Sequence, residues 1–198
     1  MSDDVIMNLC ETLLDNNFNT DNFAVNFKED TCVISSMNRA TTALIKIKIN
    51  TNNLDTDFKN QNGIIHTMDL NQKMYSISPF DNKFEETHAR LLDRFEEMLF
   101  DSKGYKMYPF ELFMKKLNCR YNDKSTVLID CSTNESVIDT YYVKTCIIGN
   151  PNVVFVKLWD NMDDTPLCLN YQFRAFEVYC VIAPKIVAHD CCNIVKVM

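Results

Sequence analysis

Apolar and polar positions along the chain fall into two periodicities, and each marks a type of element. Val5, Ile6, Leu9, Cys10, Leu13 and Leu14 recur at helical spacing, which predicts a short amphipathic helix. Ser2 ahead of Asp3 and Asp4 offers a hydroxyl cap followed by acids at the positive end of the helix dipole. Asn16-Asn17 ends the run. Alternation by two then takes over. Phe23, Val25 and Phe27 form one strand, Cys32 to Ile34 a second, and Thr41 to Ile49 a third, with Ile45, Ile47 and Ile49 opposite Lys46 and Lys48. Residues 50 to 62 are polar and Asn-rich, as in a loop. Gly63 to Met68 and Lys73 to Ser78 read as a hairpin across Asp69 to Gln72.

The strongest helical stripe runs from Asp81 to Asp101 through Phe84, His88, Leu91, Leu92, Phe95, Met98 and Leu99. Its outer face is charged, and His88 belongs to the apolar edge. Pro109 suits the first position of another helix, carried by Phe110, Phe113, Met114 and Leu117. From Thr126 onward the chain is β-prone: Thr126 to Ile129, Tyr141 to Ile148, Val153 to Trp159, Pro166 to Leu169, Phe173 to Ile182 and Ile194 to Val197. No internal repeat is visible. The pattern predicts an α+β protein, mainly antiparallel sheet with two central helices packed on it. A boundary near residues 118 to 126 divides an α+β N-terminal part, 1–120, from a β-rich C-terminal part, 121–198, either as separate units or around one core.

Composition changes this picture in three ways. The formal charge is −7, so a broad phosphate-seeking surface is not the default and protein partners gain weight. Nine cysteines are an odd number, several lie in apolar runs, and Cys191 and Cys192 are neighbours; reduced thiols in a cytoplasmic or nuclear protein are expected, not a disulfide framework. The N-terminus has no signal-peptide pattern and no apolar run reaches membrane-spanning length, so no membrane partner is expected. Frequent Asn, Asp, Lys and Ile suit an AT-rich genome, such as that of a large DNA virus.

With three glycines in the chain there is no phosphate-cradling loop, and no metalloprotease, nucleophile-elbow or Cys-x-x-Cys motif occurs. No catalytic set, metal site or cofactor is therefore expected. Three weaker constellations exist. Asp130 at a strand end, with the acidic turn Asp160, Asp163 and Asp164, has the residue types of a metal-dependent nuclease, but also those of solvated turns. His189 with Cys191 and Cys192 lacks the paired spacing zinc prefers. The third is aromatic and basic. Phe155, Lys157 and Trp159 alternate with Val154, Val156 and Leu158, and Tyr142, Lys144 and Arg174 extend the same chemistry. Rings interleaved with cations on an exposed sheet suit single-stranded nucleic acid; core packing is the plainer role for such rings.

The stretch Val153-Val154-Phe155-Val156-Lys157-Leu158-Trp159-Asp160, followed by Phe173 to Ala183, resembles the middle and closing strands of an OB-fold of the replication-protein-A kind. The resemblance spans Tyr141 to Val197. It implies an OB-like barrel and a non-enzymatic, replication-associated protein that binds single-stranded DNA. Phe155 and Trp159 would be the stacking residues, with Tyr142, Lys144, Lys157 and Arg174 around them. The alternative is a structural or host-interaction protein that binds a protein partner or its own copies without a small ligand.

Overall fold

A computed structural model of the chain describes residues 4–83, 90, 104–118, 126–130, 135–158, 165–185 and 193–196. Helix α1 (Val5–Asp15) forms where the apolar stripe predicts it, with Ile6, Met7, Leu9, Cys10 and Leu13 buried. Its cap is Asp4, whose side chain accepts from the Ile6 and Met7 amides; Ser2 lies outside the described residues. A meander follows: β1 (Asn22–Lys28), β2 (Thr31–Met37) and β3 (Ala43–Asn50). Next come β4 (Gly63–His66) and α2 (Thr67–Asn71). The hairpin predicted across Asp69 to Gln72 is reduced to a single bridge, Ile64 with Ser78, because Thr67–Asn71 coils into a helical turn. Gly63 permits that bridge, since a Cβ there would sit 2.0 Å from the Ser78 carbonyl oxygen.

Beyond this point, most of the stripe from Asp81 to Asp101, His88 included, lies outside the described residues. The chain resumes with β5 (Lys106–Pro109), α3 (Phe110–Asn118), β6 (Thr126–Asp130) and β7 (Glu135–Asp139). Then come α4 (Thr140–Thr145), β8 (Val153–Leu158), β9 (Leu167–Phe173), β10 (Phe176–Ile182) and β11 (Asn193–Lys196). The strand predicted over Tyr141 to Ile148 is thus corrected to a helix. Asp139 caps it by accepting from the Tyr141 amide, and Thr140, Val143 and Thr145 are buried, so a capped turn with one buried face overrides the β propensity of Tyr-Tyr-Val.

Eight strands make one antiparallel sheet in the order β4-β1-β2-β3-β10-β9-β8-β5; β11, β6 and β7 make a second, three-stranded sheet. The large sheet has a repeated plan. A helix and a three-strand meander, α1 with β1-β2-β3, is matched by α4 with β8-β9-β10. The two meanders meet through β3 and β10, and each outer strand gains one more neighbour, β4 or β5. Along one face, Val25, Ile34, Ile47, Val178 and Tyr171 stand in register across five strands, and all are buried. Helices α1, α3 and α4 cover this face, and their Ile6, Leu13, Phe113 and Val143 join the sheet residues in one core drawn from both halves.

The OB-like barrel is corrected by this topology. A barrel requires the last strand to close on the first, whereas here β10 pairs with β3 of the other half and the sheet stays open, with β4 and β5 at its edges. The class α+β with a dominant antiparallel sheet stands.

Candidate interaction surfaces

The two faces of the large sheet offer different chemistry. On the face away from the helices, register aligns Met107, Phe155, Asn170, Tyr179, Lys46 and Ser35 across six strands. At the β5 end of that row Met107 is 61% exposed and its cross-strand partner Phe155 is 38% exposed. Beside them lies a small apolar cluster. Cys168 and Val181 are buried under Leu44, Tyr105 and Tyr179. Lys157 is only 2% exposed, and its Nζ stands 4.6 Å from the centre of the Tyr105 ring. The Tyr105 hydroxyl is buried without a hydrogen-bond partner.

The residues singled out from the sequence are dispersed. Phe155 is partly exposed, whereas Lys157 on the same strand is sealed. Tyr142 and Lys144 sit on α4, and Tyr142 is half-buried against the core while Lys144 is exposed. Arg174 occupies the β9–β10 turn at φ 55°, its guanidinium 5.2 Å from the Phe173 ring. Trp159 lies outside the described residues, as do Asp160, Asp163, Asp164, His189, Cys191 and Cys192. Asp130 ends β6. No cluster of three metal-ligating side chains occurs among the described residues.

The five described free cysteines are all buried. Burial pushes the Cys32 and Cys168 thiols up to about 12 and raises Cys10 and Cys180 well above the ordinary thiol value. None of these four is a thiolate near neutrality, so none is poised as a nucleophile. In the middle of the outer face, on β10, Tyr179 donates to the Glu177 carboxylate, and the Lys48 ammonium lies 5.1 Å from the Tyr179 ring.

The helical face carries a feature that sequence reasoning missed. Helix α3 and the segment joining α4 to β8 bound a groove of about 1180 Å³. Phe110, Met114 and Ile147 form its apolar part, and Lys115 and Lys144 stand at its rim. The two halves of this groove are separated in sequence, and the pairing of β5 with β8 brings them together. In the sequence, Asn150-Pro151-Asn152 has the residue types of a turn and nothing that marks a groove.

No protein-family model matches the sequence, and no curated protein matches it. Solved structures do. The structure of the C-terminal region of FEN-1 bound to A. fulgidus PCNA superposes with a TM-score of 0.60 and 9% identity, over 92% of this chain and 96% of that one. Proliferating Cellular Nuclear Antigen from Entamoeba histolytica gives 0.55 and 9%, over 92% of this chain and 95% of that one. The chain has a PCNA-like fold. The superposition takes in both halves of the open antiparallel sheet. The likeness overturns the resemblance of residues 141–197 to an OB-fold of the replication-protein-A kind. Within the PCNA-like fold, β8, β9 and β10 belong, with β5, to one half of a continuous eight-stranded sheet.

Proposed function

We propose that this chain is a non-enzymatic, intracellular scaffold of the sliding-clamp type, associated with DNA replication and built to hold partner proteins. The observation that carries the reading is the PCNA-like fold over 92% of the chain; one of those PCNA structures is bound by a segment of another protein, the C-terminal region of FEN-1. On this reading the parts 1–120 and 121–198 work as halves of one unit, and further copies of the chain are among its partners. The docking patch is Met107 with Phe155, an exposed cross-strand pair at the β5 end of the outer face. Apolar side chains this exposed and adjacent suit the buried centre of an interface.

Direct single-stranded-DNA binding is the competing reading, favoured by the outward Phe155 ring. It ranks lower because the lysine meant to accompany that ring, Lys157, is sealed, and because the chain carries a charge of −7.

One titration separates the two. Peptides from the C-terminal regions of DNA-processing proteins encoded in the same genome are titrated against the full chain, alongside labelled oligo-dT. Peptide binding should weaken by about tenfold in Phe155→Ala with Met107→Ala. Failure of every peptide to bind, or binding indifferent to the double substitution, removes the scaffold reading. Salt-sensitive quenching of Trp159 by oligo-dT establishes the competing one instead.

A further inference from the structure

The groove on the helical face lies across the sheet from Met107 and Phe155, and its walls are set by contacts that leave little freedom. Tyr171, fully buried on β9, donates through its hydroxyl to the Cys146 carbonyl at 2.7 Å and accepts from the Ile148 amide at 2.9 Å. The Asn16 side-chain amide, just past α1, donates to the Ile147 carbonyl at 2.7 Å. Gly149 follows at φ 66°, and a Cβ on it would fall 2.2 Å from a Phe173 ring carbon, so any other residue there would be strained and would displace that ring. The Phe110 amide, at the start of α3, donates to the Asn152 carbonyl at 3.1 Å and ties the two walls together. The groove is therefore formed before any ligand arrives, which lowers the ordering cost of binding.

Its chemistry is as definite as its shape. The floor is apolar, with Phe110 and Ile147 buried and Met114 half-buried. Lys115 and Lys144, both exposed, stand on opposite walls, and the Asn150 and Asn152 side chains offer amides between them. The acid in the lining is Glu111, one turn before Lys115 on α3. Two lysines flanking an apolar floor, in a protein with a charge of −7, make this groove locally cationic against its surroundings.

We propose that the α3–α4 groove is a second docking site, for a partner-protein segment in which an apolar anchor is flanked by acidic residues. The anchor packs on Phe110, Met114 and Ile147, and the acids meet Lys115 and Lys144. Such rim charges act mainly on encounter and selectivity, while the buried anchor supplies most of the affinity. A polynucleotide is the poorer fit, because an apolar floor gives phosphates nothing to bond and no described aromatic ring but Phe110 lines the groove.

The test uses the full chain. Peptides are selected from a random phage-displayed library, and the best binder is followed by fluorescence anisotropy and by amide chemical-shift mapping. The expected result is a motif of acids around an apolar residue, shifts at the groove lining, and affinity lower by about tenfold in Lys115→Glu with Lys144→Glu. Phe155→Ala with Met107→Ala should leave that affinity unchanged, and circular dichroism confirms that both variants fold. Selected peptides without acids overturn the proposal, as do shifts confined to the outer face or affinity indifferent to the lysine reversals. Oligo-dT binding that the same reversals abolish would reassign the groove to nucleic acid.

Discussion

Glu11 shows how one residue on α1 ties a distant segment to the fold. Its carboxylate is buried, and Oε1 accepts from Lys73 Nζ at 2.7 Å and from the Tyr75 hydroxyl at 2.9 Å. Burial pushes this carboxyl up, but the bonds from Lys73 and Tyr75 and the Lys73 charge outweigh it and hold it below its ordinary value. A carboxyl lowered on folding stabilises the native state above the unfolded pKa, and that stabilisation is lost as pH falls through the folded value. Thermal unfolding should therefore show the native protein losing stability on acidification below the ordinary carboxylate range. Glu11→Gln should flatten that dependence while lowering stability at neutral pH; an unchanged acid limb would show that Glu11 contributes nothing there. The Lys73 side chain is largely exposed, so its half of the pair adds little by itself.

At the scale of elements, the two capped helices show why the halves of the sheet look alike although their sequences do not. Asp4 caps α1 and Asp139 caps α4, and each helix leads into a three-strand meander. Asp4 does more than cap. Its Oδ2 also accepts from the Thr56 hydroxyl and, at 2.8 Å, from the Asp57 amide, fastening the loop after β3 onto the start of α1. Asp4→Ala should cost about 2 kcal/mol, at the upper end for a cap because the Thr56 hydroxyl and the Asp57 amide lose their acceptor as well. Denaturant unfolding measures it, and a loss within about 0.5 kcal/mol, as for an ordinary surface position, would show that the loop finds another anchor. The helix over 5–15, the three strands that follow and the helix after Pro109 were all legible, because each buries one side at a local period. Helix α4 was not, because its six residues are too few to show a period and their β-branched and aromatic content argued for a strand.

For the whole molecule, one core drawn from both halves and a central β3–β10 pairing of seven registered residue pairs join the parts 1–120 and 121–198. The expected outcome is a single cooperative unfolding transition, coincident by near- and far-ultraviolet circular dichroism. Two separated transitions would mean that the parts fold independently. Light scattering over a range of concentrations reads self-association directly.

Side-chain periodicity along the chain was enough to determine the α+β class, the isoleucine face of β3 and the buried face of α1, since spacings of two and of three to four are local properties. Whether the sheet would close or stay open depended on which strand β10 met, and that strand, β3, comes from the other end of the chain. A second long-range pairing, β5 with β8, set Lys115 across a groove from Lys144, and Tyr105, just before β5, sealed Lys157 while Phe155 stayed exposed. Alternation states which residues share a face of a strand; only packing decides whether that face meets solvent, a ring or another wall.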